Sequence, residues 1–150
     1  MKNKLALTVA LLTILSVAPH AHAVCTNATV LGNWGFTGTG VVILPTGAVP
    51  VGAVGSVHFD LAGNVSGGQD RSLGGGVQHE TVSGTYTISG DCALTITANV
   101  YDDAGNLQRN TVLKGVVVNS GKEVRMIYES ITLPNGAPLP SVLTLDANKI

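Results

Sequence analysis

Cys92-Ala93-Leu94-Thr95-Ile96-Thr97-Ala98-Asn99-Val100-Tyr101 alternates between two kinds of side chain along its whole length. Successive side chains of an extended backbone point to opposite faces. Cys92, Leu94, Ile96, Ala98 and Val100 therefore share one face, and Thr95, Thr97, Asn99 and Tyr101 share the other. The first set belongs to an interior, the second to water or a second layer. Turn residues bound the stretch on both sides: Gly90-Asp91 before it and Asp102-Asp103-Ala104-Gly105-Asn106 after it. That punctuation makes it one strand in a run of hairpins.

The pattern continues in both directions. Toward the N-terminus the expected strands are 77–89, a polar 65–73, 51–60 and 34–44. They are separated by Gly74-Gly75-Gly76, Leu61-Ala62-Gly63-Asn64 and Pro45-Thr46-Gly47. Toward the C-terminus 107–118 and 123–133 follow, divided by Asn119-Ser120-Gly121-Lys122. In 123–133 the alternation puts Val124, Met126 and Tyr128 on one face and Arg125, Ile127, Glu129 and Ile131 on the other. A rigid loop at 134–140 leads to a last strand at 142–147. No sustained helical period occurs anywhere in this part of the chain. The fold class is all-β, with about eight antiparallel strands in a meander. An open meander of that length exposes two edges, and closure into a barrel removes them. A β-sandwich is the alternative.

The ends fix the context. Lys2 and Lys4 precede an uncharged, apolar stretch at 5–17, and Ala21-His22-Ala23 supplies small residues around a cleavage point. This is the layout of a secretory signal peptide, with an apolar core too short for a span of roughly 20 residues. Val24 before Cys25 is too bulky for a lipidation site. The expected organisation is a signal peptide at 1–23 and a single barrel domain at 24–150, in the periplasm or secreted. Without Lys2 and Lys4, six Lys/Arg face nine Asp/Glu, a net charge of −3. No basic patch exists, so nucleic acid is a poor partner. With one Trp, three Tyr and two Phe, the chain also lacks the aromatic girdles of an outer-membrane barrel. Export and an even count pair Cys25 with Cys92 in a disulfide.

Gly32-Asn33-Trp34 at the start of the first strand resembles the Gly-x-Trp element of the calycin-like barrels, which include the lipocalins. The resemblance implies a tryptophan packed across the closed end of a barrel, and the Cys25 bridge would stiffen that end. Gly35, where the family has an aromatic residue, departs from the pattern, as does the absence of a C-terminal helix. Gly84-Thr85-Tyr86-Thr87-Ile88 with Cys92 is similar to a strand of small exported bacterial barrels, and implies no activity.

Candidate chemistry is sparse. His58, His79 and Glu80 invite a zinc or proton-transfer reading. Adjacent His79 and Glu80 point to opposite faces, so at most one of them can join His58 in a lumen; a surface His and a surface Glu near the glycine loop are expected, with no metal site and no cofactor. No nucleophile elbow is present, and the glycine clusters precede no helix that would favour a phosphate. A carboxylate lodged in the barrel, Glu80 or Glu129, would have a raised pKa and serve an isomerase or cyclase. Arg125 shares the Glu129 face and offers a surface pair instead. The primary expectation is a small apolar molecule in the barrel, lined mainly by Val, Leu, Ile and Ala. Trp34, His58, Tyr86 and Tyr128 are the candidate contacts, with Thr85 beside them. A non-enzymatic periplasmic or surface interaction domain, acting through an outer face or the 134–140 loop, is the runner-up, its protein partner unidentified.

Overall fold

Strand closure decides between barrel and sandwich. The computed structural model describes residues 24–150, and the expected signal peptide lies outside them. Eight strands run β1 (Gly32–Leu44), β2 (Gly47–Phe59), β3 (Asn64–Leu73), β4 (Gly76–Ile88), β5 (Ala93–Tyr101), β6 (Leu107–Val118), β7 (Glu123–Thr132) and β8 (Ser141–Lys149). Each pairs antiparallel with its sequence neighbours, and β1 also pairs with β8, from Trp34 opposite Lys149 to Val42 opposite Ser141. That last ladder closes the meander into a barrel.

The alternation expected for β5 is present: Leu94, Ile96, Ala98 and Val100 are buried. Hairpin chemistry explains the connections. Gly74 and Gly75 both adopt positive φ (57° and 97°), the combination a two-residue primed turn needs and that glycine reaches without strain. Three elements depart from expectation. β2 starts at Gly47 rather than 51, extending the first hairpin through Pro50, which pairs with Val41. A short helix, α1 (Asn27–Val30), precedes β1, and the Thr26 N–H donates to Thr29 Oγ1 (3.0 Å) at its start. One turn of helix is too short to leave a periodic signal. In β7, Ile131 was expected outside with Arg125 and Ile127, but it is buried. A bulge is the cause: Leu113 faces Tyr128 and Val112 faces Ser130, so Glu129 is passed over and the facing of later residues reverses.

The barrel has unlike ends. At one, α1 and the Cys25–Cys92 disulfide join the turns after β2, β4 and β6. Trp34 is fully buried there, and its indole N–H donates to the Val30 carbonyl (2.7 Å). Phe59 stands edge-on to Trp34 and Tyr86 edge-on to Phe59, with centroids 6.2 and 5.0 Å apart. This is the closed end, and Trp34 sits across it. At the other end are the hairpins after β1, β3 and β5 and the 133–140 loop. There β7 and β8 part company, pairing only from Glu123–Asn148 to Ile127–Thr144. The loop fills the gap through bonds from Leu139 N–H to Ile131 O (2.9 Å) and from Ile43 N–H to Pro140 O (2.8 Å).

Candidate functional site

Two groups of buried side chains divide the interior. The larger rests on Trp34, Phe59 and Tyr86, the smaller comprises Val42, Ile131 and Leu143 near the open end, and Tyr128 packs against both. Between them lies a polar layer built by strand parity. Gln69 and Arg71 are in phase with inward Val65, Glu80 with inward Val82 and Tyr86, and Arg109 with inward Leu113 and Val117. Glu80 has no exposed surface, contrary to the expected surface carboxylate. Its Oε1 accepts from Arg71 Nε (2.8 Å) and Arg109 Nη1 (2.7 Å), and its Oε2 accepts from Gln69 Nε2 (2.7 Å) and Arg109 Nη2 (2.7 Å). The Arg109 contact is a two-pronged fork, the strongest form of such a pair.

This environment reverses the expected titration. Burial by itself pushes the Glu80 carboxyl up, but the Arg109 guanidinium, then Arg71 and Gln69, outweigh it and hold the pKa at about 2. A carboxylate ionised at neutral pH, with both oxygens doubly engaged, is unsuited to act as a general acid. It does make stability depend on pH. The unfolded chain protonates Glu80 near the ordinary value of 4.5, whereas the folded chain resists until about 2. The contribution is therefore complete above the unfolded value and lost as pH falls through the folded one. We expect urea midpoints to drop between about pH 5 and pH 2 by the equivalent of about 3 kcal/mol. Glu80→Gln should flatten that slope, and an unchanged slope in the variant would refute the assignment.

Above the polar layer, at the open end, lies a cavity of about 180 Å³. Val42, Leu44, Val51, Leu73, Ile131, Leu133, Leu139 and Leu143 form its aliphatic wall, and Arg71, Arg109, Gln69, Gln108 and Tyr128, with Thr39 and Thr144, are its polar members. A second space of about 50 Å³ lies below, among Phe36, Phe59, Met126 and Tyr128.

Of the four candidate contacts read from sequence, Tyr128 lines both spaces. Burial pushes its hydroxyl pKa up. Trp34 and Tyr86 belong to the closed-end floor, where the Tyr86 hydroxyl donates to the Asp60 carbonyl (2.5 Å). His58 lies on the outer face, paired with Asn33 Oδ1 (2.8 Å), because its parity opposes that of inward Val57 and Phe59. His79 is also outside, and its hydrogen bond to Asp70 raises its pKa. The two histidines and Glu80 thus do not converge. Glu129 is exposed near Lys114, at 3.9 Å, rather than paired with Arg125, which instead binds Glu123. Gln69, Arg71 and Arg109 were missed in the sequence, although each is in phase with the apolar face of its strand.

No protein-family model matches the chain, and no curated protein matches it. Among solved structures it is similar to a redesigned β-barrel, mFAP0, bound to DFHBI, at 17% identity and a TM-score of 0.47, covering 81% of this chain and 99% of that one. It is also similar to Rv2717c from M. tuberculosis, at 15% identity and a TM-score of 0.40, covering 82% and 94%.

Proposed function

We propose that the protein is an exported receptacle for one small apolar molecule, held in the open-end cavity in the manner of calycin-like barrels. The observation that carries this reading is the 180 Å³ space walled by aliphatic side chains. A barrel of eight strands can be filled by its own side chains, and the larger core group leaves only the space of about 50 Å³ in the closed half. The open half keeps a space slightly larger than the apolar cavities of about 150 Å³ that take up benzene. The 133–140 loop contributes Leu133 and Leu139 to the wall, so entry past this loop requires displacing a short irregular segment rather than a paired strand. Residues 1–23 fit a signal peptide, which supports a site of action in the periplasm or outside the cell.

Native mass spectrometry of protein purified from its exported fraction tests this. The expected species is a chain starting at Val24 that retains one small molecule, or that binds one apolar fluorescent probe per barrel. Absence of both a retained mass and stoichiometric probe binding would overturn the proposal and favour an interaction domain.

A further inference from the structure

We infer that the molecule held in the open-end cavity is a small monoanion, an apolar body of aromatic or short aliphatic type bearing one carboxylate that docks on Arg71 and Arg109. This rests on the cavity being a binding site and specifies its ligand. The first ground is charge. Two guanidiniums meet one carboxylate in the polar layer, so the cluster carries a net charge of +1. Among the described residues that line the cavity there is no Asp or Glu. Glu80 is beneath, with no exposed surface, whereas the Arg71 and Arg109 side chains retain 18% and 10% exposure and line the space.

The second ground is hydrogen-bond capacity. A guanidinium has five N–H donors. Arg71 engages two, with Glu80 and Gln78, and Arg109 engages two, both with Glu80, which leaves three on each beyond these bonds. A carboxylate can take such donors in pairs, and charge-assisted bonds of this kind are roughly twice as strong as neutral ones. Tyr128 lines the same space and adds a hydroxyl. The third ground is placement. The excess positive charge sits in a partly buried layer, where salt screens it less than at the surface, and an aliphatic wall rises above it. The arrangement suits a ligand with a charged foot and an apolar body. The volume of about 180 Å³ limits that body to roughly the size of one benzene ring.

The test is titration of the isotope-labelled mature protein, disulfide intact, with benzoate and hexanoate, with benzyl alcohol and hexan-1-ol as neutral partners, and with acetate. Amide and arginine Nε–H shifts report the location. We expect each larger acid to bind at least about tenfold more tightly than its alcohol and than acetate, with shifts at Arg71, Tyr128 and Leu139. In Arg71→Gln the acid-to-alcohol ratio should fall toward one, and in Arg71→Lys it should stay above one. The wild-type ratio decides the matter if either variant fails to fold. Alcohols binding in the cavity as well as or better than the acids would overturn the monoanion assignment and leave the apolar cavity standing, whereas acetate matching hexanoate would overturn the apolar body and with it the apolar-receptacle reading. No binding by any of these ligands, or shifts confined to the outer face, would overturn both.

Discussion

Replacing Arg109 with methionine should destabilise the barrel by about 3–5 kcal/mol, the range for removing one member of a buried ion pair. Methionine fills much of the same volume, so the loss reports charge rather than a void. Arg109 supplies two of the four hydrogen bonds to Glu80, both at 2.7 Å. Without it a fully buried carboxylate keeps only Arg71 Nε and Gln69 Nε2. Water cannot restore the missing partners easily, because Glu80 has no exposed surface and is not on the cavity wall, and the methionine covers it with apolar atoms where Arg109 stood. A domain of this size has only about 5–15 kcal/mol to lose, so the urea midpoint should move by a large fraction of its wild-type value. The control is Glu80→Gln combined with Arg109→Met. A neutral amide is far less costly to leave under-bonded than a carboxylate, so the pair should recover a substantial part of the loss. A single variant that loses less than about 1 kcal/mol would mean Glu80 is better solvated than its surroundings imply.

The same residues show what the sequence made legible. Period-two alternation was strongest in β5, where every inward position is Leu, Ile, Ala or Val, and it placed that strand correctly. It was just as regular in β4, where Glu80, Val82, Gly84, Tyr86 and Ile88 share a parity, but the polar neighbours Gln78 and His79 made the start of that strand look like surface. Carried through strictly, parity would have put Glu80 inside, and Arg71 and Arg109 likewise. A lone buried carboxylate then predicts a raised pKa, whereas the register that brings Arg71 and Arg109 onto it produces the opposite shift. That register comes from three ladders across four strands, β3 to β6, and cannot be read from any one. The bulge at Glu129 is hidden for a related reason: it is a misfit between two strands, and no residue type announces it. Closure depends on β1 meeting β8, a contact between the two ends of the domain that local pattern constrains only through the unfavourable alternative of open edges.

Substituting serine for both Cys25 and Cys92 should lower stability by about 4 kcal/mol, from the loop-closure entropy of a crosslink spanning 67 positions. The bridge links the segment ahead of α1 to the turn between β4 and β5, and the Cys25 N–H donates to the Gly90 carbonyl (3.2 Å) beside it. Apart from the fully buried Val30 side chain, few other contacts hold that segment. The Asn27 side chain donates to the Leu61 carbonyl (3.1 Å), Lys149 Nζ to the Thr29 carbonyl (3.4 Å), and the Trp34 indole to the Val30 carbonyl (2.7 Å). Once the tether is gone, the first residues should open locally before the barrel does, because a four-residue helix has no stability of its own. Hydrogen exchange should therefore accelerate most at 26–31, and Trp34 emission should shift toward that of a wetter indole as its cover lifts. Arg71, Arg109 and the open-end cavity lie on the far side of the larger core group, and their protection should fall only by the global amount. Uniform acceleration across all eight strands would instead mean that α1 and the bridge form part of one cooperative unit with the barrel. A loss below about 1 kcal/mol would mean the unfolded chain already holds its two cysteines close, so that the crosslink removes little freedom from it.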